Sequence, residues 1–171
     1  MPVRRYRGIR IARSAPRALR AIAVFACILL VPRTAFAQQV LLANNQGLDF
    51  GRFVASGGGN VIVAPTGVRS RTGAVVLLNS PSVRQATFRV SRNGTGGGNK
   101  AVVISLPSNG ATRLSSGANS MAVNNFVSSP ATLPSIPAGG TTLAIGATLT
   151  VAPQQVPGNY SGSFSLIVNY Q

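Results

Sequence analysis

The C-terminal stretch of the chain, residues 158–171, changes side-chain character at every second position. Successive side chains of a β-strand point to opposite faces of a sheet, so this period of two predicts a half-buried strand. At roughly 3.3 Å per residue the strand would exceed about 30 Å, and it would leave an open edge unless it were paired along its length. The residues of its apolar face are therefore candidates for strand pairing and assembly: Tyr160, Gly162, Phe164, Leu166, Val168 and Tyr170.

Shorter strands and turns account for the rest of the chain from residue 40 onward. Alternating apolar residues indicate strands at 48–54, 86–90, 102–106 and 143–151, and a continuous apolar run indicates one at 75–78. Weaker strands are expected at 111–115 and 120–127. Glycines at 57–59 are expected to break the chain. Pro157-Gly158 is expected to turn it so that the last two strands form a long hairpin.

The overall pattern indicates an all-β domain. No segment of the sequence shows helical spacing over three turns, and turn signals recur at short intervals. Many short strands separated by turns are typical of a β-sandwich, with a closed barrel as the alternative. The expected core consists of inward-facing apolar residues, including Val75, Leu77, Phe88, Val90, Ile104, Leu149, Phe164, Leu166 and Val168.

Residues 1–37 have the three parts of a secretory signal. Seven arginines precede an apolar run at 21–31, and Ala35-Phe36-Ala37 matches the pattern at which such signals are cleaved. The alternative is a membrane anchor, but this run is shorter than the ~20 residues that a spanning helix needs. We expect cleavage after Ala37, leaving a single domain at 38–171 that is exported to the periplasm, the cell surface or the extracellular medium.

Loss of the signal changes the charge and the cysteine content. The whole chain has 16 Lys and Arg against one acid, and eight of the 16 lie within residues 1–37, which leaves a net charge of +7. Cys27 also lies in the signal, so the exported domain is expected to fold without disulfides. An anionic cell-surface polymer is a candidate partner. Nucleic acid is not expected, because the basic residues are spread out and no exposed aromatics lie between them.

The composition argues against an enzyme. The chain has no histidine, and Asp49 is its only acidic residue. Paired carboxylates, a Ser-His-Asp triad and a His/Cys metal site are therefore all excluded, and no cofactor is expected. Asp49 lies before Gly51, where its carboxylate is expected to accept backbone N–H groups in a turn or to pair with an arginine.

Two motifs carry a family resemblance: Leu48-Asp49-Phe50-Gly51 near the start of the domain, and the alternating C-terminal stretch that ends at Tyr170. With the strand at 146–151 between them, the chain resembles the bacterial secreted family known as domain of unknown function 4402. That family is similar to pilin and spore-coat protein U-type subunits, which are immunoglobulin-like sandwiches. The resemblance implies that a periplasmic chaperone or another subunit supplies a missing strand by β-strand addition.

Two functions follow as hypotheses. The first is a non-enzymatic structural subunit of a fimbria-like surface appendage or coat, assembled through its C-terminal strand. The second is a monomeric, exported binding module for an anionic or carbohydrate ligand. Ahead of Leu48, only Val40 and Leu42 form an alternating apolar pair, a short segment for donation to a neighbour. The subunit is therefore expected to close its own sandwich, cap a polymer, or accept a strand without donating one.

Overall fold

The computed structural model describes residues 39–93 and 99–171. Nine strands lie within these ranges: β1 Val40–Gln46, β2 Phe53–Val63, β3 Arg69–Leu77, β4 Ala86–Arg92, β5 Val102–Ser105, β6 Thr112–Ser116, β7 Asn119–Ser129, β8 Thr141–Val151 and β9 Ile167–Tyr170. Within these ranges every regular element is a strand, so the predicted all-β class is confirmed. None of the described residues belongs to a helix long and apolar enough to cross a membrane.

Two sequence predictions concern residues outside these ranges. The signal at 1–37, with its cleavage site at Ala35 and Ala37, lies before the first described residue. Most of the glycine-rich turn at 93–99 also lies outside the described residues. Both remain predictions.

Strand β8 is the centre of the larger sheet. Its alternate residues, Leu143 to Val151 in steps of two, are almost completely buried. β7 pairs along one edge of β8, whereas β4 and β2 share the opposite edge, with β4 at residues 141–145 and β2 at 147–151. Gly146 lies between the two pairings, where a Cβ would overlap the carbonyl oxygen of Val63.

The remaining strands extend this arrangement outward. β1 pairs with β4, β3 with β2, and β6 with β7, and all of these pairings are antiparallel. β5 and β9 form a separate two-stranded sheet. An all-β chain with two sheets is consistent with the predicted β-sandwich.

The apolar side chains form two clusters at opposite ends of β8. The first contains Phe50, Val61, Val63, Val75, Met121, Val123, Ala147, Leu149 and Val151. The second contains Ala86, Phe88, Val90, Val102, Leu133, Ile136, Leu143, Ile145 and Val168. Of the nine predicted core residues, Val75, Phe88, Val90, Leu149 and Val168 are buried, and Leu77, Ile104, Phe164 and Leu166 are partly buried against these clusters.

The prediction that glycines at 57–59 break the chain is wrong. β2 runs through them to Val63 and pairs with β3, with a register shift between Ala55 and Gly59. Gly73 on β3 has a φ of +72°, and a Cβ on it would lie 2.6 Å from the carbonyl oxygen of Gly58. The glycines therefore permit the close approach of two strands at a bulge, as glycine often does within strands.

The predicted hairpin of the last two strands is also wrong. β9 pairs with β5, and Ser161 forms an isolated bridge with Ser115 at β6. Both edges of β8 are already occupied, by β7 on one side and by β4 and β2 on the other. Residues 152–159 therefore carry the chain away from β8. The single long strand predicted at 158–171 is also wrong, since only Ile167–Tyr170 forms a ladder and Ser161 makes one isolated bridge.

Candidate strand-pairing site

Residues 160–170, here called the C-terminal segment, show the predicted alternation in burial. Tyr160, Phe164, Leu166 and Tyr170 are partly buried and Val168 is 8% exposed, while every odd-numbered residue from 161 to 169 is exposed. Gly162 has the same parity. It is exposed, but its backbone lies so close to β6 that an added Cβ would overlap the carbonyl oxygen of Arg113. The even-numbered, mostly apolar side chains of the segment therefore face the interior.

Phe164 anchors the middle of the C-terminal segment. Its ring meets Phe88 edge to face, with centroids 6.0 Å apart, and lies 5.1 Å from Phe126 in a tilted arrangement. Both geometries are favourable for aromatic pairs. Phe88 is on β4 and Phe126 is on β7, the strands on either side of β8. Phe164 therefore packs the segment against strands on both edges of β8.

The hydrogen-bond pattern of β9 shows which backbone groups are left at its outer edge. The amide of Gln171 donates to the carbonyl of Ala101. Val102 lies opposite Tyr170, but its amide donates to the carbonyl of Leu133 and not to β9. Bonding in an antiparallel ladder alternates, so Ile167 and Asn169 bond to β5. The backbone groups of Leu166, Val168 and Tyr170 then point away from β5, toward an edge with which no other described strand pairs.

β1 presents a similar edge. The amide of Asn93 donates to the carbonyl of Gln39, so Leu41 and Ala43 are the residues that bond to β4. The backbone groups of Val40 and Leu42 point the other way. Leu42 lies opposite the buried Val90 and so shares its inward face, yet it is 37% exposed. An inward-facing leucine with this exposure marks a place where the core is incompletely covered.

The outer edges of β1 and of the C-terminal segment lie near each other, and we call the space between them the seam. β1 approaches β9 without pairing with it, and Val40, Leu166 and Tyr170 pack on the same apolar cluster. The hydroxyl of Tyr170 is buried there with no hydrogen-bond partner among the described residues. A buried hydroxyl in this state costs about 1–3 kcal/mol, which an added partner would recover.

The seam differs from the other sheet edge in charge. Residues 39–48 and 152–171 contain no charged side chain. β3, which pairs with β2 alone among the described strands, carries Arg69 and Arg71. Charged side chains protect edge strands against pairing with other chains. The edge at β3 is protected in this way and the seam is not.

The Leu48-Asp49-Phe50-Gly51 motif forms a turn, which corrects the strand predicted at 48–54. Asp49 makes one backbone bridge with Arg84, and its carboxylate accepts the amide of Gly51 at 2.7 Å, as predicted for an aspartate in a turn. Gly51 has a φ of +70°. Arg69 donates to the carbonyls of Phe50 at 3.1 Å and Arg52 at 3.2 Å. The motif is therefore held by a local aspartate bond and by an arginine from β3.

This turn forms one wall of a groove of about 630 Å³. We call it the Tyr160 groove, because residues 155–162 form the opposite wall. The tyrosine hydroxyl accepts from the Gln155 amide at 2.8 Å and donates to the Val156 carbonyl at 2.7 Å, which fixes the ring. The groove reaches the buried residues Phe50, Met121 and Leu149 and has Arg52 among its lining residues.

The structure brings the two sequence motifs together. Leu48, Asp49, Phe50 and Gly51 share the groove with Tyr160 and Gly162, whereas Phe164, Leu166, Val168 and Tyr170 belong to the seam farther along the same segment. Sequence reasoning missed Arg69 as the residue that holds the motif. Its position beside the core residue Val63 depends on the register of β2 and β3, which no local pattern reveals.

The family model described as Domain of unknown function (DUF4402) matches residues 40–170 of this chain. The match covers well over half of the sequence, so the chain belongs to this family. Neither the curated proteins nor the solved structures gave a match.

Proposed function

We propose that this protein is an exported, non-enzymatic structural subunit of a bacterial surface appendage or coat, assembled by β-strand addition at the seam. The observation that carries the proposal is the pair of unpaired, charge-free strand edges on either side of a partly covered core. Exposed backbone edges recruit strands from other chains, with main-chain bonds supplying affinity and side-chain pockets supplying specificity.

The immunoglobulin-like, pilin-like form of the sandwich is part of the same proposal. Phe164, Leu166 and Tyr170 are only partly buried, as expected for a face that awaits one more strand. The partner would be a periplasmic chaperone during export and another subunit afterwards. β1 is a poor donor, because in a regular strand the parity of Val40 and Leu42 would continue with the polar residues Asn44 and Gln46.

A matched pair of β1 variants tests this function. Leu42→Lys places a charge on the inward face of the seam, whereas Leu41→Lys places one on the outward face of the same strand. The two leucines are similarly exposed, at 37% and 48%, so both variants should fold alike. The assembly state of the exported protein, measured by size-exclusion chromatography of undenatured surface fractions, is the readout.

We expect the Leu41→Lys protein to assemble like the wild type and the Leu42→Lys protein to remain unassembled, because strand addition would bury its ammonium group unpaired. Circular dichroism of both purified proteins controls for folding. Equal assembly of the two variants, or a wild type that is monomeric in every fraction, would rule out the seam as an assembly site.

The Tyr160 groove favours a second candidate, the monomeric binding module for an anionic or carbohydrate ligand. Its volume lies within the roughly 300–1,000 Å³ typical of ligand sites, and it combines an apolar floor with Arg52 and a fixed tyrosine ring. This candidate predicts a monomer whose binding to an anionic polysaccharide weakens with salt and with Arg52→Gln. Arg113→Gln is the control, since Arg113 bonds to Ser120 on β7 and does not line the groove.

A further inference from the structure

We infer that the Tyr160 groove binds a single-chain anionic amphiphile, with the acyl chain along its apolar floor and the acidic headgroup beside Arg52. The inference rests on the second candidate function, the binding module, and adds the chemical class of the ligand and the position of its two parts. It does not depend on assembly at the seam.

The floor of the groove is apolar. Phe50, Met121 and Leu149 line it, and all three belong to the buried core cluster at this end of β8. Water in the groove therefore meets apolar core surface, and an apolar occupant would displace it favourably. Both walls are continuous stretches of chain, residues 48–55 and 155–162, which suits an extended occupant such as an acyl chain.

The rim of the groove is apolar as well. Val54 and Leu78 line it from one side and Val156 from the other, and all three are exposed. Val76 lies directly opposite Val54 in the pairing of β2 with β3 and extends the same exposed surface. Large apolar side chains that gather on the surface around a groove mark a binding site for an apolar group.

Several polar groups of the walls already bond within the protein. The Tyr160 hydroxyl is held by Gln155 and by the carbonyl of Val156, and the Asp49 carboxylate accepts the amide of Gly51. Groups bonded in this way offer little to the many hydroxyls of a sugar. The groove is therefore better suited to a ligand that binds chiefly through apolar contact.

Arg52 gives the groove its preference for an anion. Its side chain is exposed and lines the groove, and within the described part of the chain no residue bonds to its guanidinium group. The Asp49 carboxylate lines the same groove but is engaged by Gly51, and Arg69 lies beside that turn. A guanidinium group binds a carboxylate or a phosphate through strong, charge-assisted hydrogen bonds. An acyl chain that ends in such a group is complementary to the floor, the rim and Arg52 together.

A series of fatty acids tests the ligand class. Octanoate, decanoate and dodecanoate are titrated into the purified exported protein at pH 7, each below the concentration at which it forms micelles, and binding is measured by calorimetry. We expect one molecule to bind per protein. Each added methylene should tighten binding about fourfold for as long as the groove can bury it.

Matched variants locate the two parts of the ligand. The double variant Val54→Thr, Val156→Thr keeps the shape of the rim but makes it polar, and Val127→Thr is its control, since Val127 is similarly exposed but does not line the groove. Arg52→Gln removes the partner of the headgroup, with Arg113→Gln as its control. We expect the double variant and Arg52→Gln each to weaken decanoate binding about tenfold, and both controls to bind like the wild type.

Each contrary result has its own meaning. Affinity that does not rise with chain length, or an equal loss in the Val127→Thr protein, would overturn the groove as an acyl-chain site. Unchanged binding by Arg52→Gln would overturn the position of the headgroup. If the fatty acids do not bind but an anionic polysaccharide binds in a way that depends on Arg52, the inferred ligand class is wrong and the binding module stands. If neither binds, the binding module is wrong too.

Discussion

At the scale of single residues, Gly51 has the most constrained position in the candidate site. Its φ is +70°, and an added Cβ would overlap Val83 and lie 2.6 Å from Nη1 of Arg69. Arg69 is also the residue that donates to the carbonyls of Phe50 and Arg52. Any side chain at this position would therefore disturb the backbone and the arginine together.

Gly51→Ala should lower the free energy of unfolding by about 2–3 kcal/mol, from the left-handed backbone and the overpacking combined. Gly47→Ala is the control, because no atom lies within 4 Å of an added Cβ there. Urea denaturation of both variants provides the measurement. A Gly51→Ala protein as stable as the Gly47→Ala protein would contradict the tight turn described for the motif.

Phe164 provides a second prediction at this scale. Phe164→Ala removes its contacts with Phe88 and Phe126 and should cost about 3 kcal/mol. Ile167→Ala should cost far less, because Ile167 is 54% exposed on the outward face. Chemical denaturation measures the free energy of unfolding of both variants. An equal decrease in the two would mean that the even-numbered side chains of the C-terminal segment do not face the interior.

At the scale of elements, the C-terminal segment shows what a local pattern can and cannot predict. Alternation fixes which side chains share a face, and so the parity of Phe164, Leu166 and Val168 could be read directly from the sequence. The strand it pairs with depends on contacts distant along the chain. The expected hairpin with β8 failed because β2 and β4 together fill an edge that local turn residues had seemed to leave free.

The glycines of β2 illustrate the same limit. Gly57, Gly58 and Gly59 have poor strand propensity taken alone. Their role becomes apparent only from the opposing strand, where Gly73 meets them at the bulge. The Tyr160 groove was likewise invisible in the sequence, because its two walls, residues 48–53 and 155–162, come from opposite ends of the domain.

Truncation tests β9 as an element. Removing residues 169–171 deletes the pairings of Asn169 with Val103 and of Tyr170 with Val102, together with the bond from Gln171 to Ala101. We expect a lower denaturation midpoint and faster amide exchange at Val103, since β5 loses its partner. Unchanged exchange at Val103 would show that β5 is held without β9 and would refute the described pairing.

At the scale of the whole molecule, the two strand edges that the topology leaves open at the seam also lack charged side chains. Residues 38–171 carry eight basic side chains and one acid, yet the residues bordering the seam carry none. The basic residues favour solubility and repulsion between copies elsewhere on the surface, while β1 and the C-terminal segment carry no charged side chain that would guard their edges against pairing. If the protein is the exported subunit proposed above, this distribution would keep it soluble until a partner strand arrives.

Amide hydrogen exchange along the C-terminal segment, in the isolated and the assembled protein, tests the open seam most directly. The amides of Ile167 and Asn169 bond to β5, so they should be protected in both states. Those of Leu166, Val168 and Tyr170 point to the seam, so they should exchange fast in the isolated protein and become protected on assembly. Equal protection of both sets in the isolated protein, or no change on assembly, would contradict the account.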